Sequence, residues 1–276
     1  MSHILKGQWK TIVVDGAVVV SFLLLVLIPF GLAPEKIELS NMLGLPSFAH
    51  PLGTDNLGRD LLLRISSAIT GGVLPLWLGV IVGSLGGALL AIVMTLSGQY
   101  RMATPITAST RAIATVIAAI PVGVVAFGWA AVQQKAGIIP VLVSLSTLFA
   151  VRTYLQICDL YSHDKRLGYW EAHASMGGSL AGRVWRYGIK GEWKWALLES
   201  LGFHLRAAVA IEASLSYLGF GLQEPQASFG NMLASHFDVY LKGNWTILII
   251  IVITLAVSAA FPVSCANLLR RRRPIL

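Results

Sequence analysis

Long apolar stretches separated by short polar ones dominate this chain, in place of the finer mixture of buried and exposed positions that a water-soluble fold displays. Six stretches are each long enough to cross a bilayer: Thr11 to Ala33, Gly71 to Ser97, Arg111 to Val132, Gly137 to Cys158, Trp195 to Phe220 and Trp245 to Leu269. A hydrocarbon core about 30 Å thick needs about 20 helical residues at 1.5 Å rise each. In lipid only helices and closed barrels satisfy their backbone polar groups, and the two-residue alternation of barrel strands is missing here. The pattern predicts an all-α polytopic membrane protein of about six transmembrane helices, forming one domain over residues 1–276. A first span and outer segment occupy 1–70, and a five-span core occupies 71–269.

Composition agrees. Charged residues make up 12% of the chain, about half the share usual in soluble proteins. The first stretch follows Lys6 and Lys10 as a secretory signal would, but its length and the Pro34 after Ala33 predict a retained anchor. Cys158 and Cys265 are too few and too scattered for a disulfide framework.

Six crossings bring both termini to one side. That side holds fifteen Lys and Arg residues against five on the other, so the positive-inside bias predicts cytoplasmic termini. The net charge of +8 is then a property of span ends, and nucleic acid is not an expected partner. Arg270 to Arg273 read as a cytoplasmic stop attracted to anionic lipid.

Within the spans, Gly79, Gly83 and Gly87 form a small-residue stripe that predicts close helix packing. Pro75, Pro121 and Pro140 interrupt helical hydrogen bonding in or near spans. Three connections are long: 34–70 and 221–244 outside, and 159–194 inside. In the first, Gly53-Thr54-Asp55 and Gly58-Arg59-Asp60 predict turns leading into a helix, with Asp60 as its N-cap or first-turn acid. In the inner one, a short helix from about Lys165 to Met176 is predicted to close at Gly177-Gly178. The fifth span carries Glu199, His204, Arg206 and Glu212. Ionisable groups at membrane depth cost at least about 2.5 kcal/mol each, so they are expected to face the bundle interior. Glu199 and Arg206 are about 10 Å apart in rise, which predicts water or a partner subunit as their neighbour. Arg206, Glu212 and Ser216 are candidates for lining a translocation pathway, with a structural polar seam as the alternative.

Catalytic chemistry is not visible. There is no G-x-x-x-x-G-K-[ST] phosphate loop, no H-E-x-x-H pair and no G-x-S-x-G turn, and the six histidines are dispersed. An enzyme, a resident cofactor and a metal site are therefore not expected.

Residues 171–177 nevertheless carry a pattern. Glu171, Ala172 and Gly177 match the spacing of the E-A-A-x-x-x-G motif in the cytoplasmic loop of binding-protein-dependent ABC importer permeases, which this chain resembles. His173 replaces an alanine of that motif, and Gly188-Ile189-Lys190 stands where the family has an I-L-P-like sequence. Two longer segments, HPLGTDNLGRD at 50–60 and EASLSYLGFGLQEPQASFGNML at 212–233, are similar to the dipeptide, oligopeptide and nickel branch, and to its second, C-type permease subunit.

The resemblance implies a type I importer permease in the bacterial inner membrane. It implies a second homologous permease, two ATP-binding subunits that hold ATP and Mg, and an extracytoplasmic substrate-binding protein as partners. The cargo would be short peptides, with nickel or a metal chelate as the alternative. Glu171, Ala172, His173 and Gly177 would then couple to the ATPases. His50, Pro51, Gly53, Thr54, Asp55, Gly58, Arg59 and Asp60 would brace the outer mouth. Two other classes stay open: a secondary transporter coupled to ions through Arg206, Glu212 or Asp15, and a non-transporting membrane scaffold.

Overall fold

The computed structural model of the chain describes residues 2–27, 35–97, 104–133, 137–241 and 245–271. Ala33, Pro34, Arg272, Arg273 and the side chains of Lys6 and Lys10 lie outside the described residues. The described residues are mostly helical and contain no strand, and their one β-bridge, Thr54 with Asp60, is isolated.

Helix α1 (Ser2–Leu27) is followed by an irregular segment that leads to α2 (Leu61–Ala68). A π-helical turn, Ile69–Val73, joins α2 to α3 (Leu74–Ser97). The second apolar run is therefore part of one 37-residue helix from Leu61 to Ser97, starting ten residues before Gly71 because the π turn carries the helix through Thr70-Gly71-Gly72. Pro75 follows directly, and the wider turn falls where a proline nitrogen has no hydrogen to donate.

The third run is not one helix. It divides into α4 (Thr104–Ala119) and α5 (Val122–Gln133), whose axes meet at 85°. Pro121 stands at the junction, where its ring and missing N–H stop the ladder. Helix α6 (Ile138–Asp164) extends six residues beyond Cys158, and Pro140 sits harmlessly in its first turn. After α7 (Gly168–Ser175), α8 (Leu180–Arg183) and a π-helical stretch kinked at Gly191 come α9 (Trp193–Tyr217), α10 (Phe229–Ser235), α11 (Phe237–Leu241) and α12 (Thr246–Arg270).

Contacts fix the direction of each pass. Gly79 faces Leu142 and Ser146 and Gly87 faces Ala150, so α3 and α6 run parallel, and α4 with α5 must carry the chain back between them. Helix α9 runs antiparallel to α6: Trp193 meets Asp164, and His204 stacks on Phe149. Helix α12 reverses again, with Arg270 at Glu199 and Ala266 at Gly202. Phe22 of α1 stacks on Phe261 at 4.2 Å. The described helices therefore pack into one bundle, with Asp15 of α1 near Arg271 at the end of α12. Among the described residues, three helices are apolar and long enough to cross a membrane by themselves, or four with the bent pair. Helix α9 has the length but carries Lys194, Glu199, Arg206 and Glu212.

The glycine stripe does what its spacing predicts. A Cβ at Gly83 would overlap the carbonyl of Ser146, and one at Gly87 that of Ala150. The two backbones touch without side chains between them, which suits helices in lipid, where packing rather than the hydrophobic effect drives association.

Candidate functional site

Residues 50–60 fold into a compact knuckle at the α2 end of the bundle. Gly53 and Gly58 take φ of 81° and 73°, the left-handed region that glycine tolerates. At Gly58 a side chain would also collide with the backbone of Glu38. Pro51 opens the turn. Thr54 accepts a hydrogen bond from the Gly44 amide at 2.8 Å and donates to the Asn41 carbonyl. Asp60 is the N-cap of α2, accepting from Leu62 and Leu63 at 2.8 and 3.1 Å, and it holds His50 Nδ1 at 2.8 Å.

Asp55 is fully buried. One of its oxygens accepts from the amides of Leu57 and Arg59, at 2.9 and 2.8 Å, and the other pairs with Arg59 Nε at 2.6 Å. Arg59 then reaches Glu224, at 2.7 Å, and the fully buried Arg64 reaches the other oxygen of Glu224 at the same distance. Buried charges are tolerable only when paired and hydrogen-bonded, and this cluster pairs two guanidinium groups with two carboxylates. It also joins the two resemblance-bearing segments, since Glu224 belongs to 212–233.

That second segment is bonded to itself. Ser216 donates to Glu212 at 2.6 Å and accepts from the Leu222 amide at 2.9 Å, so the turn after α9 is tied back onto the helix. Asn231 forms a capping box with Ser228 and donates to the carbonyls of Leu222 and Gln226. His236 is wholly buried beside it. Its Nδ1–H donates to the Met232 carbonyl at 2.6 Å, leaving bare Nε2 toward the Asn56 amide. Burial lowers the His236 pKa, against the opposing pull of the Met232 carbonyl and Asp55.

The ionisable groups of α9 do not share one face. His204, Glu212 and Ser216 lie on the buried stripe, whereas Phe203, Arg206, Ala210, Ser214 and Tyr217 form an uncovered stripe on the other side. Arg206 thus departs from the expected inward orientation. Glu199 also lies outside the core, largely exposed, and pairs with Arg270 of α12 at 3.1 Å. The trio Arg206, Glu212 and Ser216 is not brought together.

At the opposite end of the bundle, α7 is the short helix anticipated around Glu171. It closes where expected: Gly177 adopts φ of 79°, and the Gly178 amide bonds the His173 carbonyl at 2.9 Å. Glu171, Ala172 and Met176 are exposed, and His173 is half-buried against Tyr187. Trp170 turns inward, 3% exposed, between Tyr161 and the Arg183 guanidinium. Beneath it Asp164, at the last turn of α6, accepts from the indole of Trp193 at 3.0 Å, and the Tyr169 phenol of α7 feels its charge. Burial and the Asp164 charge push the Tyr169 phenol up to about 12. One carboxylate therefore ties α6 to α9 directly beside α7, whose Trp170 is buried against Tyr161 and Arg183. The Gly188-Ile189-Lys190 departure lies in the π-helical stretch, with Gly188 against the Trp193 ring.

The arrangement is that of a multi-pass helical membrane protein with a braced knuckle at one end and a displayed short helix at the other. No family model matches the chain. Curated relatives do. It is 28% identical over 214 residues to a putative peptide transport system permease protein of Brucella suis biovar 1, covering 78% of this chain and 69% of the relative. A probable D,D-dipeptide transport system permease protein of Escherichia coli (strain K12) is 25% identical over 255 residues, covering 87% and 79%. A putative peptide permease protein of Brucella suis is 26% identical over 211 residues, covering 72% and 64%. The chain is thus similar to proteins named as peptide transport permeases.

Proposed function

We propose that this chain is one of two transmembrane permease subunits of an ATP-driven importer for short peptides in the bacterial inner membrane, with both termini cytoplasmic. An extracytoplasmic binding protein delivers cargo to the end formed by residues 35–60 and 221–241. Two separate ATP-binding subunits, which hold ATP and Mg, engage α7. The reading is carried by an exposed Glu171–Gly177 helix whose Trp170 is buried against Tyr161 of α6 and Arg183, in a chain whose relatives are named peptide permeases. Moving a transporter from 1:99 to 99:1 between two packings takes about 5.5 kcal/mol of differential stabilisation. A helix packed through a buried Trp170 onto the base of α6 can deliver that push, and a loose loop cannot.

The uncovered α9 stripe, with Arg206 and Ser214, faces the second permease across the pathway, and Glu212 with Ser216 sets the turn above it. Purification of the full chain from its host membrane in mild detergent tests the assembly: an ATPase subunit and a second permease co-purify. In proteoliposomes of that complex, ATP drives peptide uptake, and Glu171→Lys or Gly177→Asp uncouples hydrolysis from uptake. Transport by the lone chain under an ion gradient would overturn the reading in favour of a secondary transporter.

A further inference from the structure

An open apolar groove of about 860 Å³ runs between α3, α4 and α6, lined by Leu78, Val82, Leu90 and Ile113 among others. It exists because α4 and α5 diverge at Pro121, leaving α3 and α6 uncovered on that side. From Leu78 to Leu90, α3 rises about 18 Å, somewhat more than one bilayer leaflet's share of the hydrocarbon, about 15 Å. Tyr154 lines its lower end, and the same residue lines a second hollow of about 360 Å³ at the α7 end of the bundle.

The second hollow is of a different character. Arg111, Ser162 and Lys165 surround it. Arg111 is half exposed and holds Asp159 at 2.5 Å and Ser162 at 3.3 Å. Lys165 stands exposed over the Tyr161 ring at 5.5 Å, and among the described residues it has no carboxylate partner. The hollow therefore carries one uncompensated positive charge and hydroxyl donors, directly beneath an apolar channel of leaflet depth.

We infer that the adjoining groove and hollow, which meet at Tyr154, together bind one anionic phospholipid, with its phosphate against Lys165, Arg111 and Ser162 and an acyl chain along Leu90, Ile113, Val82 and Leu78. Basic pockets between transmembrane helices suit acidic headgroups, and each cation near the surface contributes about 1 kcal/mol, or roughly fivefold in affinity. Asp159 offsets Arg111, so the net preference for a charged over a zwitterionic headgroup is about fivefold. Lipid in this position fills the side of α3 and α6 that the bent pair leaves open, and it bears on the base of α6 close to Asp164.

The test uses the full chain in its purified complex, equilibrated with equal amounts of phosphatidylglycerol and phosphatidylcholine bearing identical chains, followed by native mass spectrometry. Wild type retains phosphatidylglycerol about fivefold over phosphatidylcholine. Lys165→Gln abolishes the preference without reducing phosphatidylcholine retention. Asp159→Asn raises the preference by about another fivefold, a gain that general disruption does not produce. Ile113→Trp, which fills the groove, lowers retention of both lipids. Equal retention of the two lipids by wild type, or a ratio unmoved in Asp159→Asn, overturns the inference. So does a photo-crosslinker at Ile113 that captures a protein chain instead of lipid.

Discussion

Arg64 and Glu224, 160 positions apart in sequence, meet with Nη2 2.7 Å from Oε1. Arg64 is completely buried, whereas the Glu224 side chain is 40% exposed. Losing the carboxylate therefore leaves the buried Arg64 cation with only the longer contact to Asp55, Nε 3.7 Å from Oδ2, and water at the exposed edge softens the cost. Glu224→Gln is expected to destabilise the fold by about 2 kcal/mol, below the 3–5 kcal/mol typical of breaking a fully buried pair. Thermal unfolding of the purified chain measures this, and Arg64→Gln combined with Glu224→Gln should cost less than the sum of the single changes.

The glycine contacts give a paired prediction. Gly83→Ala forces α3 from α6, because the added methyl overlaps the Ser146 backbone, and it should lower the unfolding temperature clearly, by the equivalent of about 1–3 kcal/mol. Gly86→Ala, one residue from the stripe, meets nothing within 4 Å and should leave it unchanged or slightly raised. Equal behaviour of the two variants would refute the seam.

Trp193→Phe removes one hydrogen bond to Asp164 and keeps most of the packing. If α7 drives the passes through that carboxylate, peptide moved per ATP hydrolysed falls about fivefold, in proportion to a hydrogen bond of about 1 kcal/mol, while the subunits still assemble. Tyr169→Phe acts in the same direction. A wild-type ratio in both variants would leave α7 attached by packing alone.

His236 supplies a pH dependence. Its folded pKa lies below the ordinary 6.5 because burial penalises the imidazolium. Unfolded chains then take up the proton first, so its contribution is fully present above pH 6.5 and is lost as pH falls through the folded value. Stability measured from pH 7.5 down to 5 should decline, and the His236→Gln variant should show a shallower decline.

Much of this architecture was legible because its signals are local. Apolar run length gave the all-helical membrane class, Asp60 announced the α2 cap, Gly177 the end of α7, and the four-residue glycine spacing the α3 and α6 seam. The bend at Pro121 was visible only as a broken hydrogen bond, since run length alone cannot separate a straight helix from two at 85°. Partners far apart in sequence left no trace of each other. Nothing near Glu224 marks Arg64, nothing near Asp164 marks Trp193, and Glu199 lies 71 residues from Arg270. The outward face of Arg206 escaped notice because burial cost argues for shelter without saying whether this chain or another provides it.

Because the α3 and α6 backbones touch at Gly83 and Gly87, with no side chain between them there to repack, the pair behaves as a single stiff beam. A tilt imposed where Asp164 sits must reappear, reversed in direction about any pivot between, at the far tip where Asp60 starts α2. The salt-bridged knuckle there is thus mounted on the end of a see-saw.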